Sequence, residues 1–376
     1  MIINTAKLID RCQKILTAVD SSALNIASET IEIEVANSLM RLLVTNGEYV
    51  VEEKVGVDTN ETFKATVKAS VFLKLVCQTT TDTVEFKIDN DNLVIVGNGK
   101  YTLPMVYNND KLIEISMIPI NNPTVEFDIG TDILQSIANT NSKELTKLTS
   151  QSYAVQRMYY IDQDGCITFT TGACVNNFKL EKDVKFLLNQ KIVKLFKLFT
   201  TDKVKFTLGY DEDSNGGIQA KARFENDFTT ITTLLINDDS MINSVPVKAI
   251  RKRAENTYDY SVVIDKNIFL KALTRALTVV DIMSNTFNKN YAKFEFSNQA
   301  LVIKDMDGHI YEESLYYSNN VENIDGTYTA IVELNDLKLT LESSDSEYVT
   351  LNFGDHQAFV CVKNNVYNII PEVKIV

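Results

Sequence analysis

The chain has 376 residues, with 37 Lys and Arg against 50 Asp and Glu, a formal charge of −13, and only two histidines. At 45% hydrophobic and 23% charged it has the composition of a chain with real cores, which excludes a disordered protein, and its length suits two to four domains. No apolar run reaches the roughly 18 residues of a membrane span, and the charges at Lys7, Asp10 and Arg11 fall where a secretory leader stays apolar; a soluble cytoplasmic protein with no membrane partner is expected.

The first predicted element is an amphipathic helix over Thr5–Ala18, with Leu8, Cys12, Ile15 and Val19 inward and Lys7, Arg11 and Lys14 outward. A second helix, Val67–Thr79, carries Lys68 and Lys74. It leads into period-two strands at Asp82–Ile88 and Asn92–Val96 and a hairpin turn at Gly97–Gly99. The cluster Pro119–Pro123 marks a joint. A third helix is predicted over Gly130–Asn141, and Asp164-Gly165 reads as another hairpin turn. A fourth, Asn189–Thr200, buries Ile192, Leu195, Phe196 and Phe199 and exposes Lys191, Lys194 and Lys197; an alternating strand Asp202–Leu208 follows. Pro246–Asn256 is a second joint. The fifth helix, Asp265–Thr278, buries Phe269, Ala272, Leu273 and Ala276 and exposes Lys271 and Arg275. The sixth, Glu333–Ser343, carries Lys338 and precedes a strand at Ser346–Phe353.

The six helices start at positions 5, 67, 130, 189, 265 and 333, a spacing of one recurring unit: strand, short helix, then antiparallel strands. Two units make about 125 residues, so six make three domains of α+β class, with boundaries expected at 1–121, 122–250 and 251–376. The helical windows hold 12 basic and 6 acidic residues, a balance of +6 that leaves −19 for the remainder. A surface shared by these helices would attract a polyanion while the rest of the molecule repels it, and attraction of that kind ignores base sequence.

Enzyme chemistry has little to stand on. Five cysteines without a C-x-x-C pair suit neither a disulfide scaffold nor a zinc site. Two histidines cannot supply a multi-histidine metal centre, and Gly97-Asn-Gly-Lys100 lacks the spacing of a phosphate loop. No metal and no cofactor is expected.

In length, three-domain organisation, repeated units and basic helices, the chain resembles the bacterial DNA polymerase III beta sliding clamp family. The matching segments are Tyr49–Val57, Gly97–Leu103, Phe269–Asn285 and Val366–Pro371. The resemblance implies a non-catalytic ring of two copies joined head to tail, helices lining the hole and sheets forming the wall. Duplex DNA would pass through, and DNA polymerase and the clamp loader would be the partners. On the resemblance, the DNA-facing set comprises Lys7, Arg11, Lys14, Lys68, Lys74, Tyr153, Arg157, Lys191, Lys194, Lys197, Lys271, Arg275 and Lys338. Tyr101 would meet Ile282 and Met283 of the second copy. The family's partner-peptide groove would be built by Thr170, Gly172, Ala173, Cys174 and Val175 from one loop, Val245 and Pro246 from the joint, and Ile369, Ile370 and Pro371 from the tail. Three departures stand out: Thr171-Gly-Ala-Cys-Val175 replaces the family's Asp-Gly-His-Arg-Leu, the tail runs on through Glu372–Val376, and Asp20–Ala27 lacks an arginine. A β-rich structural or adhesion protein without DNA binding is the competing reading; it accounts for the strands and leaves the basic helices unexplained.

Overall fold

Alternation and helical periodicity become 26 strands and nine α-helices among the described residues. These residues, in a computed structural model, are 1–20, 25–140, 142–146, 158–169, 172–212, 216–236, 239–283, 290–343, 346–354, 358–363 and 365–372. The first stretch contains β1 (Ile2–Asn4), α1 (Thr5–Leu16), β2 (Thr30–Ala36), β3 (Leu39–Thr45), β4 (Tyr49–Gly56) and β5 (Phe63–Lys68). Then come α2 (Ala69–Cys77), β6 (Thr83–Asp89), β7 (Asn92–Val96), β8 (Lys100–Pro104), β9 (Tyr107–Asn108) and β10 (Lys111–Leu112). The middle stretch holds β11 (Pro123–Gly130), α3 (Thr131–Asn139), α4 (Ser142–Thr146), β12 (Met158–Asp162), β13 (Gly165–Phe169) and β14 (Ala173–Asn177). It continues with β15 (Lys185–Asn189), α5 (Gln190–Leu195), β16 (Lys203–Glu212), β17 (Ile218–Glu225), β18 (Thr229–Leu234), α6 (Asp239–Asn243) and α7 (Val247–Ala254). The last holds β19 (Tyr260–Asp265), α8 (Lys266–Met283), β20 (Tyr291–Phe296), β21 (Ala300–Lys304), β22 (Glu312–Tyr316) and β23 (Tyr328–Glu333). α9 (Leu334–Glu342), β24 (Tyr348–Phe353), β25 (Ala358–Lys363) and β26 (Val366–Pro371) complete it.

The chain forms two units, Met1–Leu134 with Lys194–Asn237, and Gln135–Val193 with Asp238–Val376. In the first unit, one sheet has the order β1-β6-β7-β8 and a larger one runs β11-β16-β17-β18-β4-β3-β2-β5. The larger sheet is continuous because β18 pairs antiparallel with β4, Thr229 opposite Glu53. α1 begins where the Asn4 side chain accepts the Lys7 amide proton at 3.1 Å, a capping bond that a short polar residue supplies before a helix. It packs on α2 and β4, burying Leu8, Cys12 and Ile15. Ala18 takes the last inward place that Val19 was expected to fill, because the helix ends at Leu16 and the turn rotates Val19 partly outward.

The first expected joint is a strap across that sheet. Ile115 packs on Leu43 and Val50, its amide donates to the Glu32 carboxylate at 2.7 Å, and the amides of Asn121 and Asn122 donate to Asp211 at 3.0–3.1 Å. A connector pinned by buried contacts and charge-assisted hydrogen bonds holds the strands it crosses together.

In the second unit the large sheet has the order β15-β12-β13-β14-β26-β25-β24-β19 and the small one β22-β21-β20-β23. Here β14 pairs antiparallel with β26, Ala173 opposite Ile369. α8 packs on α9 and β19. Phe269, Phe294, Phe296, Leu337 and Phe353 share one buried cluster, and Phe296 stacks on Phe353 with centroids 4.1 Å apart. The second expected joint is largely a helix, α7, which lies on β14 and β26 and fastens to β12 by a two-point Arg251–Asp162 ion pair. Pro246 masked it, since a proline reads as a stop while also being a favoured entry to a helix.

The expected hairpins at 97–99 and 164–165 are present. At Gly165, φ is +150° and a Cβ would collide with the Asn176 carbonyl oxygen, so glycine is required there. The other turn needs no positive φ: Gly97 donates to Gly99 at 2.9 Å, and Asn98 clasps Thr80 through two hydrogen bonds.

Candidate nucleic-acid interface and partner pocket

The apolar stripes of the helices are buried, and their lysines are exposed at Lys7, Lys74, Lys191, Lys194, Lys197 and Lys271 and half-buried at Lys14, Lys266 and Lys338. In α5 and the short 3-10 turn after it, Ile192, Leu195, Phe196 and Phe199 are buried while Lys191, Lys194 and Lys197 are exposed. In α8, Phe269, Ala272, Leu273 and Ala276 are buried while Lys271 and Arg275 are exposed. Lys7, Lys74, Lys194, Lys197 and Lys271 have no ion-pair partner among the described residues, so their charge is available to an anion.

The other basic residues are partly committed. Arg11 pairs with Glu53 at 3.2 Å, and its guanidinium lies 4.5 Å from the Phe228 ring centroid. Lys14 pairs with Asp10 at 3.5 Å, Lys68 with Glu29 at 3.6 Å and Lys338 with Glu342 at 3.8 Å. Arg275 is held by Glu313 through two contacts. Tyr153 and Arg157 lie outside the described residues.

Glu53 was not singled out from the sequence, although an acidic pair inside the apolar run Tyr49–Val57 is a signal. Its carboxylate is fully buried. Burial pushes its pKa up to about 7, against the opposing pull of the Thr229 hydroxyl and Arg11. Burial also raises the thiols of Cys12 and Cys166, so these cysteines are inert packing groups. Among the described residues no cluster of His, Cys, Asp and Glu could hold a metal ion.

Five of the expected groove residues come together at the β14–β26 seam. Gly172, Ala173, Ile369, Ile370 and Pro371 line one pocket with Asn368 and with Asp336 and Thr340 of α9. Gly172 is fixed by close approach, since a Cβ there would strike the Ile369 carbonyl oxygen. The pocket is narrow, ≈ 10 Å³, about the room of one water, and the Asn368 amide nitrogen beside it has no hydrogen-bond partner. Cys174 and Val175 are buried within the sheet and do not line it; Val245 and Pro246 precede α7 and are not among its lining residues. Thr170 lies outside the described residues.

Tyr101 sits on β8, the last strand of its sheet, and is 37% exposed. The bonds Gly97 to Gly99 and Met105 to Asp91 set the phase of the β7–β8 ladder. Tyr101 and Leu103 therefore bond to β7, and Lys100 and Thr102 direct their amides to the open side. β22 is likewise an edge, and the Asp305–Tyr311 bond sets its phase so that Glu312, Ser314 and Tyr316 face outward. Tyr316 is 77% exposed. Ile282 and Met283 end α8, and their side chains lie outside the described residues.

Six strand–helix–strands units, fused pairwise through shared antiparallel sheets, define the sliding-clamp class of fold. Residues 1–111 match the family model described as DNA polymerase III beta subunit, N-terminal domain. Across its whole length the chain has the fold of solved clamps. DNA polymerase III subunit beta from Borrelia burgdorferi, in complex with a natural product, superposes with a TM-score of 0.80 at 15% identity, covering 100% of this chain and 99% of that one. The beta subunit from Thermotoga maritima gives 0.76 at 14%, and that of Streptococcus pyogenes 0.77 at 17%, with the same coverage. Sequence comparison with curated proteins finds no match. No helix among the described residues is long and apolar enough to cross a membrane.

Proposed function

We propose that this protein is a sliding clamp: two copies close head to tail into a ring that encircles duplex DNA and tethers a DNA polymerase, catalysing nothing itself. One observation carries the reading. Each large sheet joins a strand from a first-type unit (β4, β14) to one from a second-type unit (β18, β26). Among the remaining sheets of the described residues are two four-stranded ones, whose open ends include one strand of each type, β22 and β8. Pairing β8 of one copy with β22 of another builds a third eight-stranded sheet of the same kind, and two such seams close two chains with every β8 and β22 edge paired. The charges agree: Lys100 lies on β8, and Glu312 on the outward side of β22.

On this reading the chain divides at 1–121, 122–250 and 251–376, and Tyr101 belongs to the subunit interface. The exposed lysines of α2, α5 and α8 hold phosphates without reading bases. A clamp loader opens the ring in the cytoplasm, and the β14–β26 seam receives partner peptides. Solution mass tests closure: the expected value is twice 42.4 kDa. Loaded protein should stay on nicked circular DNA and run off once the circle is cut; equal retention on both would leave only ordinary electrostatic binding.

A further inference from the structure

The β4–β18 seam has a cleft of its own, lined by Ala6, Lys7, Asp10 and Arg11 of α1, by Lys54, Val55 and Gly56 at the end of β4, and by Phe228 just before β18. It occupies the same place in the repeat as the pocket at β14–β26. In each, the third and seventh residues of a helix (Lys7 and Arg11 of α1, Asp336 and Thr340 of α9) stand over the last residues of that unit's edge strand and the residue preceding the strand paired with it. The two differ in size and chemistry. The α9 pocket admits about one water, whereas the α1 cleft encloses ≈ 490 Å³, within the range of ligand sites.

Half of its lining residues are charged, and most of those charges are already committed. Val55 is buried, so Ala6 and Phe228 supply the exposed apolar surface; Phe228 is 43% exposed with one ring face taken by Arg11. Arg11 is committed to Glu53, Lys54 to Glu52 at 3.4 Å, and the one acid of the lining, Asp10, to Lys14 and Arg11, each at 3.5 Å. Lys7 has no ion-pair partner among the described residues. One uncommitted ammonium beside an apolar wall matches a single carboxylate next to a large apolar side chain. A nucleic-acid strand would need a row of uncommitted cations along its backbone.

We propose that the α1–β4–β18 cleft is a docking site for a short acidic segment of a partner protein, its apolar or aromatic side chain seated against Phe228 and Ala6 and its carboxylate on Lys7. A monomer, or a ring indifferent to DNA, would leave this cleft and its peptide unchanged, so ring closure and docking fail separately.

The test is anisotropy titration of the full chain with a fluorescein-labelled octapeptide of alternating aspartate and phenylalanine carrying one benzophenone side chain. Saturable binding is expected, weakened about tenfold or more by Phe228→Ser and by Lys7→Glu, the ~1.4 kcal/mol of one lost anchor, and unchanged by Asp336→Asn in the other pocket. Cross-linking should map to residues 5–11 or 53–56. Since Phe228 is a surface residue, both variants should keep the parental melting temperature; if either does not, the cross-link site on the unmodified chain decides alone. Absence of saturation, equal affinity for the asparagine version of the peptide, cross-links elsewhere, or a thymidine decamer that binds in a Phe228-dependent way while the peptide does not, would each overturn the proposal.

Discussion

At the scale of single residues, two buried carboxylates act in opposite directions with pH. Glu53 is raised from 4.5 to about 7 by burial, so between those values the folded state keeps a proton that the unfolded chain has released. Its contribution to stability is complete below about pH 4.5 and is lost as pH rises to about 7. Glu53→Gln should flatten this slope, which urea unfolding at pH 5 and pH 8 would measure; an unchanged difference between the two pH values refutes the assignment. Asp305 is the reverse. Burial opposes its charge, but four backbone amides, those of Tyr311, Ile310, His309 and Asp307, bring its pKa down to about 2. The stability it supplies is present above its ordinary value of 3.8 and fades as pH falls towards 2. Asp305→Ala leaves several amides in the 305–311 loop without an acceptor and should cost about 1–3 kcal/mol at neutral pH, seen as a lower denaturation midpoint with unchanged slope.

Among the elements, two carry the function proposed here. On α5, the triple change Lys191→Glu, Lys194→Glu and Lys197→Glu replaces solvent-facing residues, so it should leave the melting temperature nearly unchanged. It should nevertheless reduce retention on nicked circles, with a weaker salt dependence than the parent. Arg275→Ala should do less, because its guanidinium is already engaged by Glu313. Strand β8 offers a cleaner test of the ring. The Thr102 amide faces the open edge and makes no bond to β7, so Thr102→Pro removes a donor that only a second copy would use. The expected result is a folded monomer in equilibrium sedimentation; a dimer of parental stability would show that this edge is not the seam.

Over the molecule as a whole, the charge of −13 and the outward lysines set up a division of labour. On the proposed function, a negative body would discourage indiscriminate adherence to nucleic acid, and positive helices would give a local foothold that exchanges readily along the backbone. Rising salt should therefore weaken binding to linear duplex steeply while barely changing retention of an already closed ring on a circle, since a closed ring is held by topology and not by contact energy. Parallel pull-downs at low and high salt separate the two; equal salt sensitivity on both substrates would contradict ring closure.

Element type and repetition were legible in the chain itself because both are local. The period of 3.6 in α1, α5 and α8 and the period of two in β6, β7 and β24 depend on residues a few positions apart. The lysine faces followed from the same periodicity. What only the folded molecule decided is long-range: that β4 meets β18 and β14 meets β26, that the segment before Pro123 is a strap held by Glu32 and Asp211, and that the joint after Pro246 is a helix. Cys174 and Val175 lie in a groove by position in the chain but inside a sheet by register, and register is set by the partner strand. Phe228 and Lys7, more than two hundred residues apart, share a cleft because antiparallel pairing and helix packing bring them together, which no local pattern encodes.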